Sequence, residues 1–519
     1  MSVSRRGFLR LAAAGAATAG IAGCAGAAGS GQTAELLTSR IPLPQRFRVP
    51  LPVPAVKKPA RSDATTDYYE IVQRAVRAEL VPGHRTTIFG YDGTFPGPTI
   101  RSTSGRETVV THRNELPVPS VVHLHGGHTP AESDGFATDL VLPADRRMAA
   151  RGMHGGHMLG DIRHGSRDYT YPVKQPAATL WYHDHRMDFT GPQMWRGLFG
   201  MHLVHDAVED ALPLPRGERE IPLMICDRAF EADGAFRYPA IDPSLGHKPG
   251  VLDEYMEGVL GDVILVNGAP WPELEVDAAR YRFRVLNASN ARRYRLALEP
   301  KPDGENGFVQ IGSDAGLLAK PVRHNEIDIA PAERFDVVID FARYPVGTKV
   351  VLRNELGSGP AAEIMRFTVA RKASDDSAIP AKLAEIEPLD PARATVRREW
   401  RFNRGSVGDH RGWTINGKQF DPDRMDARPK LGDIEVWRFF TDLHHPVHVH
   451  LSPFQVVGRN GRDPGRYDAG WKDTVDVRPA EYVDVAIRFT GYTGKFLMHC
   501  HNLEHEDMAM MASFETVRP

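Results

Sequence analysis

The sequence predicts an all-β protein built as three consecutive β-sandwiches, and three observations carry that expectation. A run ending in Asn/Asp-Gly, the tight-turn signal between β runs, recurs at Tyr91-Asp92-Gly93, Val266-Asn267-Gly268 and Ile415-Asn416-Gly417. A second recurring run follows each turn, from Thr108 to Asn114, Tyr281 to Asn287 and Glu435 to Asp442. The third observation is compositional: 48 Gly and 40 Pro punctuate 519 residues, and few long stretches keep a helical period. The usual size prior gives a chain of this length about three domains, in agreement with the repeat.

Taken in order, the chain begins Ser4-Arg5-Arg6-Gly7-Phe8-Leu9-Arg10 and runs into an Ala/Gly-rich stretch to about Gly29. Paired arginines before a weakly apolar segment are expected of a twin-arginine export signal, assigned to residues 1–30, which engages the export machinery and does not span the membrane in the mature protein. Within it, Ile21-Ala22-Gly23-Cys24 resembles a lipoprotein cleavage box. Cys24 is then either the lipid-anchored first residue or is discarded with the leader. The expected location is periplasmic, envelope-attached or extracellular.

An N-terminal extension at 31–65 leads to a first sandwich at 66–207 and a second at 208–371; a polar linker at 372–394 precedes the third at 395–519. A further linker signal is the acidic, Pro-containing stretch from about Asp206 to Glu218. Lys and Arg total 64 against 66 Asp and Glu, a formal net charge of -2, so nothing points to nucleic acid or to a charged tail. Without the leader only Cys226 and Cys500 remain, and Cys226 lies in the apolar run Ile221 to Ile225, where a small buried core residue is expected. With Cys500 needed elsewhere, no structural disulfide is expected.

Cys500 stands in His499-Cys500-His501, followed by His505 and Met510. On a strand, His499 and His501 share one face and Cys500 takes the other. A thiolate, an imidazole five residues on and a thioether ten residues on form the ligand set of a blue copper site that lacks one imidazole. The run His445-Pro446-Val447-His448-Val449-His450 can supply it: His445 has one parity, while His448 and His450 have the other and can join His499 and His501. Two more pairs stand upstream, His123-Leu124-His125 and His183-Asp184-His185. Chance placement of 22 His in 519 residues gives roughly one His-x-His, and four occur. His123 and His183 are 60 residues apart and His448 and His499 are 51, so equivalent strands of the first and third units each present two pairs. The eight imidazoles can meet only where those two units pack together, with the middle unit as spacer.

The ordered motifs HLHGG, WYHDH, HPVHVH and HCHNLEH resemble the four copper-binding motifs of the multicopper oxidases, within them the bacterial spore-coat laccase, bilirubin oxidase and phenoxazinone synthase group. The resemblance runs over nearly the whole mature chain and includes Gly90 to Pro98, Val266-Asn267-Gly268, Tyr281 to Asn290 and Gly470 to Thr474. It implies cupredoxin-like Greek-key sandwiches and about four copper ions per chain. By the resemblance, His123 and His448 hold a type 2 copper, and His125, His183, His185, His450, His499 and His501 a type 3 pair. His445, Cys500 and His505, with Met510 as weak axial ligand, hold a type 1 copper. Met510 has Met508 and Met511 beside it as competitors.

The implied activity is four one-electron oxidations of phenols, aromatic amines, bilirubin-like pigments or metal ions, coupled to reduction of O₂ to two waters. Electrons are expected to enter at a type 1 site near the surface and pass through the Cys500 backbone to His499 and His501. Asp134 and Glu506 match acidic positions that the family uses to bring protons to the cluster. His444 and His128 flank the motifs and fall outside the ligand pattern. The run Met148, Met153, His154, His157, Met158, His164 could hold cuprous ion, although relatives specialised for that ion carry their Met-rich insert elsewhere. The alternatives are an o-aminophenol oxidase of the phenoxazinone synthase type, a cuprous-ion oxidase, and a non-enzymatic cell-envelope protein on the same fold. Copper nitrite reductases are set aside because this chain has three repeats and all four pairs.

Overall fold

The structure, a computed structural model, describes residues 34–145, 160–246, 248–302, 306–407 and 410–519. The export signal, Cys24 and the Met148 to Met158 part of the Met/His run lie outside those residues. His164 is described, exposed on the two-residue strand Arg163–His164.

The three Asn/Asp-Gly signals are tight turns with φ positive at both central residues: 53° and 71° at Asp92 and Gly93, 50° and 88° at Asn267 and Gly268, 53° and 72° at Asn416 and Gly417. This geometry matches the twist of the strands it joins, and Asn, Asp and Gly are the residues that reach it at least cost. Each turn closes a strand that pairs antiparallel with the first long strand of its unit: His84–Tyr91 with Thr66–Val81, Val263–Val266 with Glu220–Phe230, and His410–Ile415 with Val396–Val407. Each second recurring run then lies parallel to that same long strand, as Glu107–Asn114, Arg280–Asn287 and Ile434–Thr441. Parallel neighbours require a crossover, so the repeat seen in the sequence is a repeated topology.

The outer units each pair a five-stranded sheet with a four-stranded one, and the middle unit pairs an eight-stranded with a five-stranded sheet. The histidine pairs all lie on the four-stranded sheets or just beyond their strand ends. In the first, Val122–His125 pairs with Ala178–Asp184 so that His123 stands opposite His183. In the third, His445–Val449 pairs with Gly494–Cys500 so that His448 stands opposite His499 and Val447 opposite Cys500. Val122–His125, Ala178–Asp184 and His445–Val449 are buried along their whole length, because one face packs on the sandwich core and the other on neighbouring units.

The Asp206 to Glu218 stretch is more than a connection. Asp206 accepts from Glu209 N and caps the short helix Ala207–Ala211. Glu209, 2% exposed, accepts from Arg282 (3.0 Å) and Arg284 (2.9 Å), which also bind Asp336 and Glu220. A carboxylate removed from water needs such partners, so this segment ties the first unit to the second. Cys226 is buried as expected, and burial pushes its thiol up to about 11.

Candidate metal centre

Eight imidazoles from the two outer units meet at one buried place, each no more than 1% exposed. The outer units touch directly there: His123 Nε2 lies 3.3 Å from His448 Nε2, and His185 Nε2 lies 3.2 Å from His499 Nε2. The donor atoms of His185, His450 and His499 converge within 4.8 Å, as do those of His123, His448 and His450. His125, His183 and His501 form a third group, with ring centroids 5.7, 5.1 and 5.3 Å apart pairwise.

The hydrogen bonds decide which nitrogen of each ring faces inward. Nδ1 donates to a backbone carbonyl in His123 (Asp134 O, 2.5 Å), His183 (Asp184 O, 2.8 Å), His448 (Asp473 O, 2.8 Å) and His499 (Cys500 O, 3.1 Å). His450 Nδ1 donates to the Asp134 carboxylate at 2.7 Å. Each bond leaves an Nε2 lone pair. His123 and His448 therefore turn two acceptor lone pairs on each other, and the Nε2 atoms of His183 and His450 have no hydrogen-bond partner. Facing lone pairs repel unless a cation lies between them, so the donor set fits a metal cluster. Burial and the crowding of other imidazoles hold His123, His125, His183, His448 and His450 well below the usual imidazole range, which leaves them neutral donors.

Both predicted acids are at this place. Asp134, fully buried, is pushed up to about 6 by burial, against the pull of the neighbouring imidazoles. Glu506 Oε2 is 3.1 Å from His499 Nδ1 and its Oε1 is 3.8 Å from His185 Nε2; burial would raise its carboxyl, but His499 and His185 hold it well below the usual range. Glu506 is 1% exposed, so it is a buried carboxylate and not a solvated one. Replacing Asp134 by Ala removes the acceptor that orients His450. Metal affinity of the cluster is expected to fall about 10–100-fold, as read by competition titration with a copper chelator.

On the opposite face of Gly494–Cys500, Cys500 Sγ lies 3.4 Å from His445 Nδ1 and 3.6 Å from His505 Nδ1, and those two nitrogens are 3.1 Å apart. His445 is turned this way by its Nε2, which donates to Asp442 Oδ1 at 3.0 Å. Asn502 N donates to Cys500 Sγ at 3.4 Å, and Met510 packs in the same buried cluster as Cys500. Met508 is half-buried at the edge of that cluster and Met511 packs in a different one, against Phe136 and Leu497, which favours Met510 among the three. Burial pushes the Cys500 thiol well up, with Glu506 and Asp442 adding to the push, so a thiolate here needs a bound cation. A soft divalent or monovalent ion between one sulfur and two imidazoles meets that need.

His445, Cys500, His505 and Met510 are all 0% exposed, so the donor atoms themselves are shielded from solvent. Trp413 covers it, its ring 3.8 Å from that of His505, and Asp442 is the partly exposed group, with 30% of its side chain in solvent. Sequence reasoning also missed Trp413, Asp442 and Asp473. None carries a motif of its own, but Asp442 three residues before His445 and Asp473 in the Gly470 to Thr474 segment were within reach of the pattern. His444 is half-buried near Asp476, and His128 Nε2 donates to Thr490 O, both outside the donor sets.

Family models described as multicopper oxidase match residues 74–209 and 393–519. A laccase of Bacillus stratosphericus is 36% identical over 91% of this chain and 99% of that protein. A bilirubin oxidase of Albifimbria verrucaria is 35% identical over 91% of this chain and 82% of that protein. The crystal structure of a multi-copper oxidase from Pediococcus acidilactici superposes with a TM-score of 0.79 at 32% identity, covering 94% of both chains.

Proposed function

This chain belongs to the multicopper oxidase family and is an oxidoreductase, and from that premise we propose a laccase-like enzyme that oxidises phenols, aromatic amines, bilirubin-like pigments or metal ions with O₂. The observation that carries the reading is covalent. Cys500 belongs to one donor set, and its immediate neighbours His499 and His501 belong to the other. Copper bound in the two sets supplies one-electron oxidation at one end and four-electron reduction of O₂ to water at the other.

The protein's own part is to hold and insulate. Strand parity places the thiolate and the imidazoles on opposite faces with only one backbone between them. His123 and His448 suit a type 2 ion, His125, His183, His185, His450, His499 and His501 a type 3 pair, and His445, Cys500, His505 and Met510 a type 1 ion. Asp134 and Glu506, buried against the ligand rings, suit delivery of protons where water is excluded. The paired arginines support export by the twin-arginine route.

The test is a copper count with a visible spectrum on copper-loaded protein, then oxygen uptake with a phenol, an aromatic amine, bilirubin and cuprous ion. About four coppers, an intense blue band and O₂ consumption are expected, and the uptake ranks the donors. A selective response to o-aminophenol or to cuprous ion would move the reading to those relatives. A colourless, copper-free protein would promote the structural envelope reading. Met510→Leu is expected to keep the blue band and raise the reduction potential of that site by about 59 mV or more, one decade for a one-electron couple. An unchanged potential would remove Met510 from the ligand set.

A further inference from the structure

The middle unit supplies none of the predicted ligands, yet one of its side chains reaches their supports. Arg334 begins the strand Arg334–Asp340 and is 0% exposed. Its Nε donates to Thr179 O at 2.9 Å, on the strand that carries His183. Nη1 donates to Ala332 O and Nη2 to Asp314 O, both at 3.1 Å, within its own unit. The same two nitrogens grip both oxygens of Asp473 in the third unit, Nη1 to Oδ1 at 2.6 Å and Nη2 to Oδ2. One guanidinium therefore bonds all three units and has every N–H in use.

Asp473 hands this constraint to the cluster. Its Oδ1 lies 3.0 Å from His125 Nε2, and its carbonyl accepts from His448 Nδ1 at 2.8 Å. A carboxylate only accepts, and Thr474 Oγ1, also 3.0 Å from that nitrogen, gives its own proton to Asp473 Oδ1 at 2.9 Å, so the proton of His125 sits on Nε2. His125 Nδ1 has no hydrogen-bond partner, and His125 belongs with His123 and His183 to a group whose ligand atoms lie within 4.8 Å of one another. His125 thus presents Nδ1 where His123, His183, His448, His450 and His499 present Nε2. The neighbouring residue must be glycine: at Gly126, φ is +84°, and a Cβ would lie 2.7 Å from both Arg334 Nη2 and Asp473 Oδ2. Such a planar, bidentate grip is available to arginine and not to lysine.

We propose that Arg334 is a positioning residue of the multinuclear site, fixing the Asp473 carboxylate so that His125 keeps its proton on Nε2 and turns Nδ1 to the metal. The inference rests on the copper reading above, and it gives the middle unit a part beyond spacing. The direct test uses the natural chain without metal, labelled with ¹⁵N in histidine, and reads the tautomer of His125, assigned by the signal missing in His125→Gln. Proton on Nε2 is expected; proton on Nδ1 would overturn the proposal. The second test compares copper-loaded wild type with Arg334→Lys. The blue band, an internal control for folding and for the Cys500 site, is expected to persist. Copper affinity of the multinuclear site is expected to fall about 10–100-fold, with a changed type 2 electron-spin spectrum. A variant with wild-type copper content and spectrum would sink the proposal, and if the variant fails to fold the tautomer decides alone. A wild type that binds no copper at all would instead defeat the functional reading, while the tautomer, read with and without Arg334→Lys, would still report on what Arg334 holds in place.

Discussion

Changing Cys500 to Ser is expected to abolish the blue band, remove about one copper ion per chain and slow oxidation of every donor by about a thousandfold or more, about 4 kcal/mol on the barrier. The substitution is nearly isosteric at a position with 0% exposure, and the backbone N–H of Cys500 stays bonded to Met510 O at 3.1 Å, so the fold is expected to survive. What changes is donor softness. A hydroxyl between His445 and His505 keeps its proton and is a poor ligand for the ion that a thiolate holds. The eight imidazoles on the far side keep all their own supports, so the remaining copper is expected to stay bound. The check is metal analysis beside the visible spectrum and oxygen uptake; a blue band in the Ser variant would place the thiolate ligand elsewhere.

Acid is expected to unfold the metal-free protein far more readily than the copper-loaded one. Burial, reinforced in the clusters by neighbouring imidazoles, lowers the folded-state pKa of His123, His125, His183, His185, His445, His448, His450, His501 and His505. His112 and His202, away from the metal sites, are pushed down to about 3. A depressed imidazole binds fewer protons folded than unfolded, so its stability is intact above about pH 6.5 and is lost as pH falls below that value. Carboxylates that burial raises act in the opposite sense: Asp134 and Asp188 are raised to about 6 and Asp184, Glu333 and Glu504 to about 7, so they favour the folded state as pH falls toward 4. The imidazoles outnumber them. At about 1.4 kcal/mol per pH unit for each uncompensated group, the net loss is several kcal/mol per unit below pH 6.5, comparable with the stability of a whole domain. Bound metal competes with protons for the same lone pairs and is expected to move the acid transition lower. Denaturant melts of both forms between pH 5 and 8 would check it, and coincident transitions would contradict it.

The sequence alone determined the strand periodicity, the three tight turns and which of the clustered histidines share a strand face. The reason is that each depends on short-range geometry: φ positive at Asp92-Gly93 and its two counterparts, or the two-residue alternation that separates His499 and His501 from Cys500. Parity also separates His445, beside Cys500, from His448 and His450, because all three ride one strand with its immediate extension. Only the tertiary structure decided what lies between elements far apart in the chain. Trp413 over His505, Asp442 beneath His445, Glu209 between two arginines and Arg334 on Asp473 are contacts of packing, and no local period encodes them. The burial of the Cys500 site belongs to the same class, since exposure is set by what the other units cover. So does the choice of ring nitrogen at His125, which follows from a carboxylate 348 residues away and an arginine that holds it.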